Sequence, residues 1–430
     1  MSDISVTKFR KGTATAVLYP TLPTLDVQPR RADLYQKQYT HDILILEYPS
    51  ESTLWFETLH TGVPIQFTWT QDTLTKYWVG YVSSVSKQNS PQRLNAMKVL
   101  CVGSSFPLKE RTTRMFSNTT IPKAVQTIAS EFGFNYIGLD NDQVFSQLTI
   151  PGQSYWDWIQ EQAQRIGYGV IVDGMNFTFL PLDQIINLGI DSTAIFSLGN
   201  AGSPFNTQFL DRTLDMFVVT SGDNIEDTTN FRTVKNTGGV DPVTGKVYTA
   251  SKSPAEIGVP FRDGLSDVLF SEFRNDRVVN DLATAKAAAT GAAQMARFNL
   301  PATVQGQGDP RVRPFSPVFI SGTGNLTDGF WIVRESHHMF HQVGDYQLDL
   351  KIATDGVGDN VETPFRTSPK NNFSTVNLDQ ALKNNGVPSL YFDIGSVFLY
   401  KKPAATEVAA VVQSSQGFNK TPVRWKAVGI

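Results

Sequence analysis

The residues best placed for chemistry are three histidines set close together, His337, His338 and His341. They fall in an apolar stretch that reads as a strand, where alternate side chains share a face. That puts His337 and His341 on one side with Met339 between them. No Glu lies at helical spacing, so the metalloprotease pattern is absent and ordinary strand histidines are expected. The run Thr244-Gly245-Lys246 has the Gly-Lys of a phosphate loop. Its first glycine is replaced by Val240 and its hydroxyl residue by Val247, so a hairpin turn is expected there. The stretch from Gly322 to Thr327 lacks the third glycine of a dinucleotide fingerprint and lies between strands. No Gly-x-Ser-x-Gly elbow is present. Aspartates and glutamates number 40, but spacing alone brings no two to the separation a glycosidase needs. Two basic clusters, Lys109 to Arg114 and Arg30-Arg31, read as solvated or salt-bridged faces. The sequence therefore names no catalytic residue, no cofactor-binding residue and no metal ligand.

The composition narrows the classes further. With 430 residues, two to four domains are expected. The formal charge of −3 does not suit a counterion for nucleic acid, and specific nucleic-acid binding is not expected. The single cysteine, Cys101, sits in an apolar run and reads as a buried inert thiol. No run approaches the roughly 20 apolar residues of a membrane helix, and the start shows no apolar signal region, so folding in a cytosol without membrane insertion is expected.

The elements that must position these residues are clearest between Thr119 and Leu182. A helix is expected from Thr119 or Thr120, with Pro122 just inside its start and Ala124, Val125, Ile128, Ala129 and Phe132 on one face. Gly133 ends it, and Phe134 to Ile137 is a short strand. A second helix starts at Ser154, where Asp157 completes the capping-box spacing. Tyr155, Trp158, Ile159, Ala163 and Ile166 share its apolar face, and Gly167 stops it. Tyr168 to Val172 and Phe177 to Leu180 are strands joined by an Asp173-Gly174 hairpin signal.

On either side the chain reads mostly as strands. Before residue 110 they are Ala16 to Tyr19, Asp42 to Tyr48, Val63 to Thr70, Tyr77 to Lys87 and Ala96 to Ser105. Val63, Ile65, Phe67 and Trp69 keep a clean period of two, and Gly80 marks a bulge or a close approach. After residue 185 come a strand at Leu214 to Gly222 and a long polar hairpin loop at Asn236 to Ala250. An alanine-rich helix spans 281–298, in which Gly291 permits a close crossing. Strands follow at Pro301 to Gln307, Pro314 to Gly322, Phe330 to Phe340 and Asp345 to Asp355. Past Gly358 the chain turns polar, then gives short strands at Ser389 to Tyr400 and Glu407 to Ser415.

The run Tyr155, Trp156 and Trp158, then Gly167-Tyr168, Asp173-Gly174 and Leu180-Pro181, resembles the small α/β insert of phage tail hub proteins. That family includes the late control protein D group and the amino-terminal part of the type VI valine-glycine repeat spike proteins. Gly62-Val63-Pro64 with the aromatic strand after it, and Asp328-Gly329-Phe330 with Val333 and His338, are similar to parts of the family's two barrels. Pro314 to Val318 departs from the pattern, because it lacks the glycine expected before its strand.

The resemblance implies an α+β, β-rich fold of two antiparallel β-barrel domains with an inserted small α/β subdomain and a C-terminal arm. The divisions are 1–110, 111–185, 186–358 with the long helix, and 359–430. It implies a structural, non-enzymatic baseplate or tail-tip hub in the virion, made in the host bacterial cytoplasm. Its partners would be two further copies in a homotrimer, the tail tube or a distal tail protein, a central spike or tip protein, and the tape measure protein. The arm would reach neighbouring tail proteins. A hub of a type VI-like contractile injection system is the alternative within this fold, and a tail-associated peptidoglycan hydrolase is the alternative of another class.

Overall fold

The structure is a computed structural model. It describes residues 3–9, 21–24, 29–49, 61–188, 193–198, 212–219, 233–252, 270–354, 390–392 and 399–401, apart from short gaps at 72–73, 91–92, 142, 242, 277–278, 280, 299, 325–326 and 342–345. The expected strands at Ala16 to Tyr19 and Glu407 to Ser415, the polar spacer after Gly358 and the turn at Val343-Gly344 lie outside the described residues.

Seven strands occupy the described part of the first 103 residues: β1 (Asp3–Phe9), β2 (Thr21–Thr24), β3 (Arg31–Lys37), β4 (Ile43–Pro49), β5 (Pro64–Gln71), β6 (Leu74–Ser90) and β7 (Arg93–Gly103). They pair antiparallel in the order β3-β4-β7-β6-β5-β1-β2. Val63, Ile65, Phe67 and Trp69 are all buried, as their period of two requires. On β4 the inward residues are Leu44, Leu46 and Tyr48, while Ile43 and Ile45 point the other way. Gly80 is a close approach, because a Cβ there would overlap the Trp78 ring and the Val102 carbonyl.

The α/β unit follows as β8 (Arg111–Thr119), α1 (Ile121–Glu131), β9 (Asn135–Gly138), β10 (Phe145–Ser154), α2 (Tyr155–Ile166), β11 (Tyr168–Asp173), β12 (Asn176–Pro181) and α3 (Leu182–Asn187). Thr120 caps α1 by accepting from the Lys123 amide, and Gly133 takes φ +77°. Ser154 caps α2 by accepting from the Asp157 amide. The Asp157 carboxylate does not reach back to the backbone; it accepts the Ser154 hydroxyl at 2.6 Å, so the expected reciprocal capping box is half formed. Gly167 ends α2 at φ +70°. The hairpin loop is Gly174-Met175, one residue later than expected, because Asp173 already pairs with Asn176. Strands β8 and β10 pair with each other and were not anticipated, since β8 alternates exposed and half-buried polar residues with little apolar signal.

The remaining elements are β13 (Ala194–Ser197), β14 (Arg212–Val219), β15 (Thr233–Val240), β16 (Val247–Lys252), β17 (Phe270–Asn275), α4 (Leu282–Met295), β18 (Leu300–Gln307), β19 (Pro317–Ser321), β20 (Gly329–His341) and β21 (Tyr346–Thr354). Strands β22 (Leu390–Phe392) and β23 (Leu399–Lys401) form a separate antiparallel pair. Six strands close a ring in the order β19-β13-β14-β18-β21-β20 and back to β19. The ring is not wholly antiparallel as expected, because β13 runs parallel to both β14 and β19. Its interior is filled by Phe196, Val304, Ile320, Trp331, Leu348, Leu350 and Ile352 among others.

The expected hairpin loop at 236–250 is mostly strand, since β15 and β16 pair through Val240 and Val247 and leave only 241–246 as the turn. Helix α4 ends three residues before Phe298 and exposes Leu282, which was expected to pack. Asp281 and Thr284 form the reciprocal capping box that Ser154 lacks. The small face of α4 is used inside the chain. Ala285 and Ala288 pack beside Val279, and Gly291 lies so close to the Arg165 carbonyl that a Cβ would not fit.

Candidate functional site

Strand β20 belongs to both sheets. Its first part, from Gly329 to Ile332, pairs with β19 and closes the barrel. Its second part, from Glu335 to His341, pairs with β3. One hydrogen-bonded sheet of thirteen strands therefore runs through both units, and Phe340 and Tyr346 from the barrel side enter the core of the first sheet.

The turn between β3 and β4 sits at this joint and touches every neighbour. The Gln38 amide donates to the Arg334 carbonyl and its side chain to the Val333 carbonyl. Tyr39 adopts φ +57°, a left-handed conformation uncommon without glycine. That conformation lets its hydroxyl donate to the Tyr168 carbonyl at 2.8 Å and lets its ring meet Phe315 edge-on. Phe315 itself has φ +70° and is 1% exposed. It lies within the stretch where a glycine was expected and missing, so a buried aromatic holds the conformation a glycine would take freely. His41 stacks on Trp156 of α2 at 4.8 Å and hydrogen-bonds Ser105.

Beside the turn lies a cavity of about 60 Å³, lined in part by Gln36, Asp42, Trp78, Trp156, Asp173 and Arg313. Arg313 reaches from the loop before β19 to Asp173 on β11 at 3.0 Å. Burial pushes the Asp42 carboxyl up to about 7, with the Asp173 charge adding to the rise and the Gln36 hydrogen bond opposing it. Two carboxylates in a Trp-lined hollow are the ingredients of a glycosidase. This hollow has room for only a few waters, and Asp173 is committed to Arg313.

Buried ion pairs bind the units. Arg165 of α2 holds Asp276, just past β17, at 2.6 and 3.1 Å. Arg297 after α4 pairs with Asp183 of α3. Within the barrel Asp309 accepts from Arg212 at 2.7 Å and from Arg311 at 2.6 and 2.9 Å. Burial opposes ionisation of Asp309, but the two guanidiniums win and hold its carboxyl below the usual range. Arg165–Asp276, Arg297–Asp183 and Arg212–Asp309 each join residues about a hundred positions apart, so no local signal could reveal them; only Arg311 is close to Asp309 in sequence.

The sequence candidates are dispersed. His337 faces outward, stacked on Tyr35 at 4.0 Å and 3.0 Å from Asp33. His338 points inward, fully buried and bonded to the Tyr346 hydroxyl at 2.8 Å, and burial drives it down to about 3, so it stays neutral. His341 pairs in register with Arg31. Among the described residues no three His, Cys, Asp or Glu side chains are grouped to hold a metal. Asp241 accepts from the Val243 amide and the Thr244 hydroxyl and Gly245 takes φ +69°, which makes 241–246 a turn. The amides of Gly322, Thr323 and Gly324 are taken by the Asp328 carboxylate. In the basic clusters, Arg114 is bidentate to Glu131, Arg30 holds Glu47 and Arg31 holds Asp33. Cys101 is fully buried, and burial raises its thiol pKa.

No protein-family model and no curated sequence matches the chain. Its fold is similar to that of a tail protein from Neisseria meningitidis MC58, at 10% identity and a TM-score of 0.53 over 82% of this chain and 97% of that one. It is equally similar to the 43 kDa tail protein of prophage MuSo2 from Shewanella oneidensis, at 12% identity and a TM-score of 0.53 over 83% of this chain and 99% of that one. A type VI secretion component, the E. coli c3393 protein, aligns at a TM-score of 0.47 and 10% identity over 76% of this chain and 74% of its own. The chain thus shares the overall fold of these two tail proteins, and its described residues are β-rich, with a closed six-stranded barrel and few helices.

Proposed function

We propose that the chain is a structural, non-enzymatic baseplate or tail-tip hub of a bacteriophage tail. The observation that carries this reading is the sheet shared through β20, which fixes the first sheet and the barrel side by side in one subunit of a tail-protein fold. In this reading the first sheet curls into a second barrel, and the chain divides at about 110, 185 and 358. Three copies then set six similar barrels around a channel. Such a ring meets a sixfold tail tube or distal tail protein on one side and a threefold spike or tip protein on the other. The channel encloses the tape measure and passes DNA. The outward stripe beside β20 suits a wall that does not grip its cargo: Lys37 and Lys351 both pair with Glu335, and Arg31 and His337 with Asp33.

The ring does not rest on α4, whose small face is occupied within the chain. The arm after residue 358 is assigned to contacts with neighbouring tail proteins, because isolated short strands are marginal in water and need a sheet edge. Mass measurement and imaging of the assembled tail test the reading together. Three copies per particle at the tail tip are expected, with no clearing of peptidoglycan by the purified protein. A single copy, or lytic activity lost on substituting residues of this chain, would overturn it.

A further inference from the structure

We propose that the turn from Gln38 to Asp42 is a proton-sensitive joint, at which charging Asp42 or His41 loosens the docking of the first sheet on the α/β unit and the barrel. The geometry puts both groups where three units meet. Gln38 and Tyr39 bond the barrel strand β20 and the α/β unit, and His41 and Asp42 follow directly.

Asp42 opens on the cavity between the units. Gln36 donates to it from β3 at 2.8 Å. Facing it across the cavity are Lys37 of β3, Lys76 and Tyr77 of β6, Asp173 of β11 and Arg313 of the loop before β19. Arg313 is already bonded to Asp173, so the second carboxylate is partly compensated and a charge on Asp42 meets its residual field. His41 is enclosed by Trp156 and Ser105, with Lys109 and Asp157 as its charged neighbours.

The signs are opposite. Burial raises Asp42 from 3.8 to about 7. Its neutral form is favoured in the docked state, so its contribution to stability is whole below about pH 4 and is lost as pH rises through 7. Burial lowers His41 from 6.5 to about 4. Its contribution is whole above about pH 6.5 and is lost as pH falls through 4. Between the two the joint carries no charge from either residue. Over roughly pH 4 to 6.5 the two slopes oppose, each at most tenfold in the folding equilibrium per pH unit.

The test uses the full chain and three variants, Asp42→Asn, His41→Gln and the double substitution, unfolded in urea from about pH 4 to 8. Relative to the unsubstituted protein, Asp42→Asn should gain stability as pH rises to about 7 and then level off. His41→Gln should gain as pH falls below about 6.5. The total gain approaches 10³-fold for Asp42 and somewhat less for His41. Hydrogen exchange, corrected for the chemical rate, should show β11 and β20 loosening as pH rises from about 4 to 7 in the unsubstituted protein and not in Asp42→Asn. A constant offset between variants and parent at every pH, or exchange that responds equally in both, would overturn the proposal. If Asp42→Asn does not fold, the infrared C=O stretch of a protonated carboxyl in the unsubstituted protein decides: loss of that band between about pH 6 and 8 supports the joint, and its absence at pH 6 refutes it.

Discussion

The α/β unit and the six-stranded barrel are held together differently. The unit's core is drawn almost wholly from residues 108–179, so its partners are close along the chain. Helix starts, glycine stops and a hairpin sit in line with the helices and strands they delimit. The barrel's core gathers Ala194, Leu214, Val304, Val318, Trp331 and Leu350, and its ring closes only when β13 finds β19, with Ala194 opposite Val318. It also carries Asp309 between two arginines, all nearly inaccessible to water. One region is stabilised by local apolar packing, and the other depends on distant pairing and a buried charge cluster. The loss of a single group should therefore act differently in each.

The largest effect is expected in the barrel. Asp309→Ala leaves the buried guanidiniums of Arg212 and Arg311 without their shared carboxylate and should cost about 5 kcal/mol or prevent folding. Its stability should also fall less than the parent's on acidification. The parent's Asp309 is held below its ordinary range, so its contribution is present above about pH 4 and lost as pH drops through the folded pKa. Urea unfolding at several pH values measures both, and an effect under about 1 kcal/mol would refute the charge-cluster account. In the α/β unit, Trp158→Ala removes a side chain that is 1% exposed and bonded to the Thr149 carbonyl, at about 3–5 kcal/mol. Proteolysis should show this loss confined to the unit if its core is as local as its residues suggest. The smallest effect is Ser154→Ala, about 1 kcal/mol through the lost cap of α2, read as a shift in melting temperature.

The same contrast explains what could be read from the sequence. Thr120, Gly133, Ser154, Gly167 and the Trp158 face were legible because each signal acts within a turn or two of the residue that sends it. The alternation of Tyr346, Leu348, Leu350 and Ile352 was legible because one face of β21 is buried. Strand β8 was not, because Phe116 is the one apolar residue among its half-buried positions. The end of α4 was misplaced by three residues because alanine carries propensity but no boundary signal. The joint at Gln38 to Asp42 was invisible. Tyr39 holds a positive φ without glycine or asparagine, and Asp42, Asp173 and Arg313 meet only after folding. The alternation of the histidines was legible too, because neighbours in a strand point to opposite faces: His337 lies against Asp33 and His338 against the Tyr346 hydroxyl.

The shared strand β20 also sets an order of events during synthesis. Lys37 leaves the ribosome long before its partner Glu335 is made. At roughly 5–20 residues per second, the first sheet waits on the order of 15–60 s for the strand that borders it and for Phe340 and Tyr346, which complete its core. Until then β3 has one open edge, a surface on which two nascent chains can pair wrongly. A half-made chain therefore cannot present a finished joint until translation has passed β21.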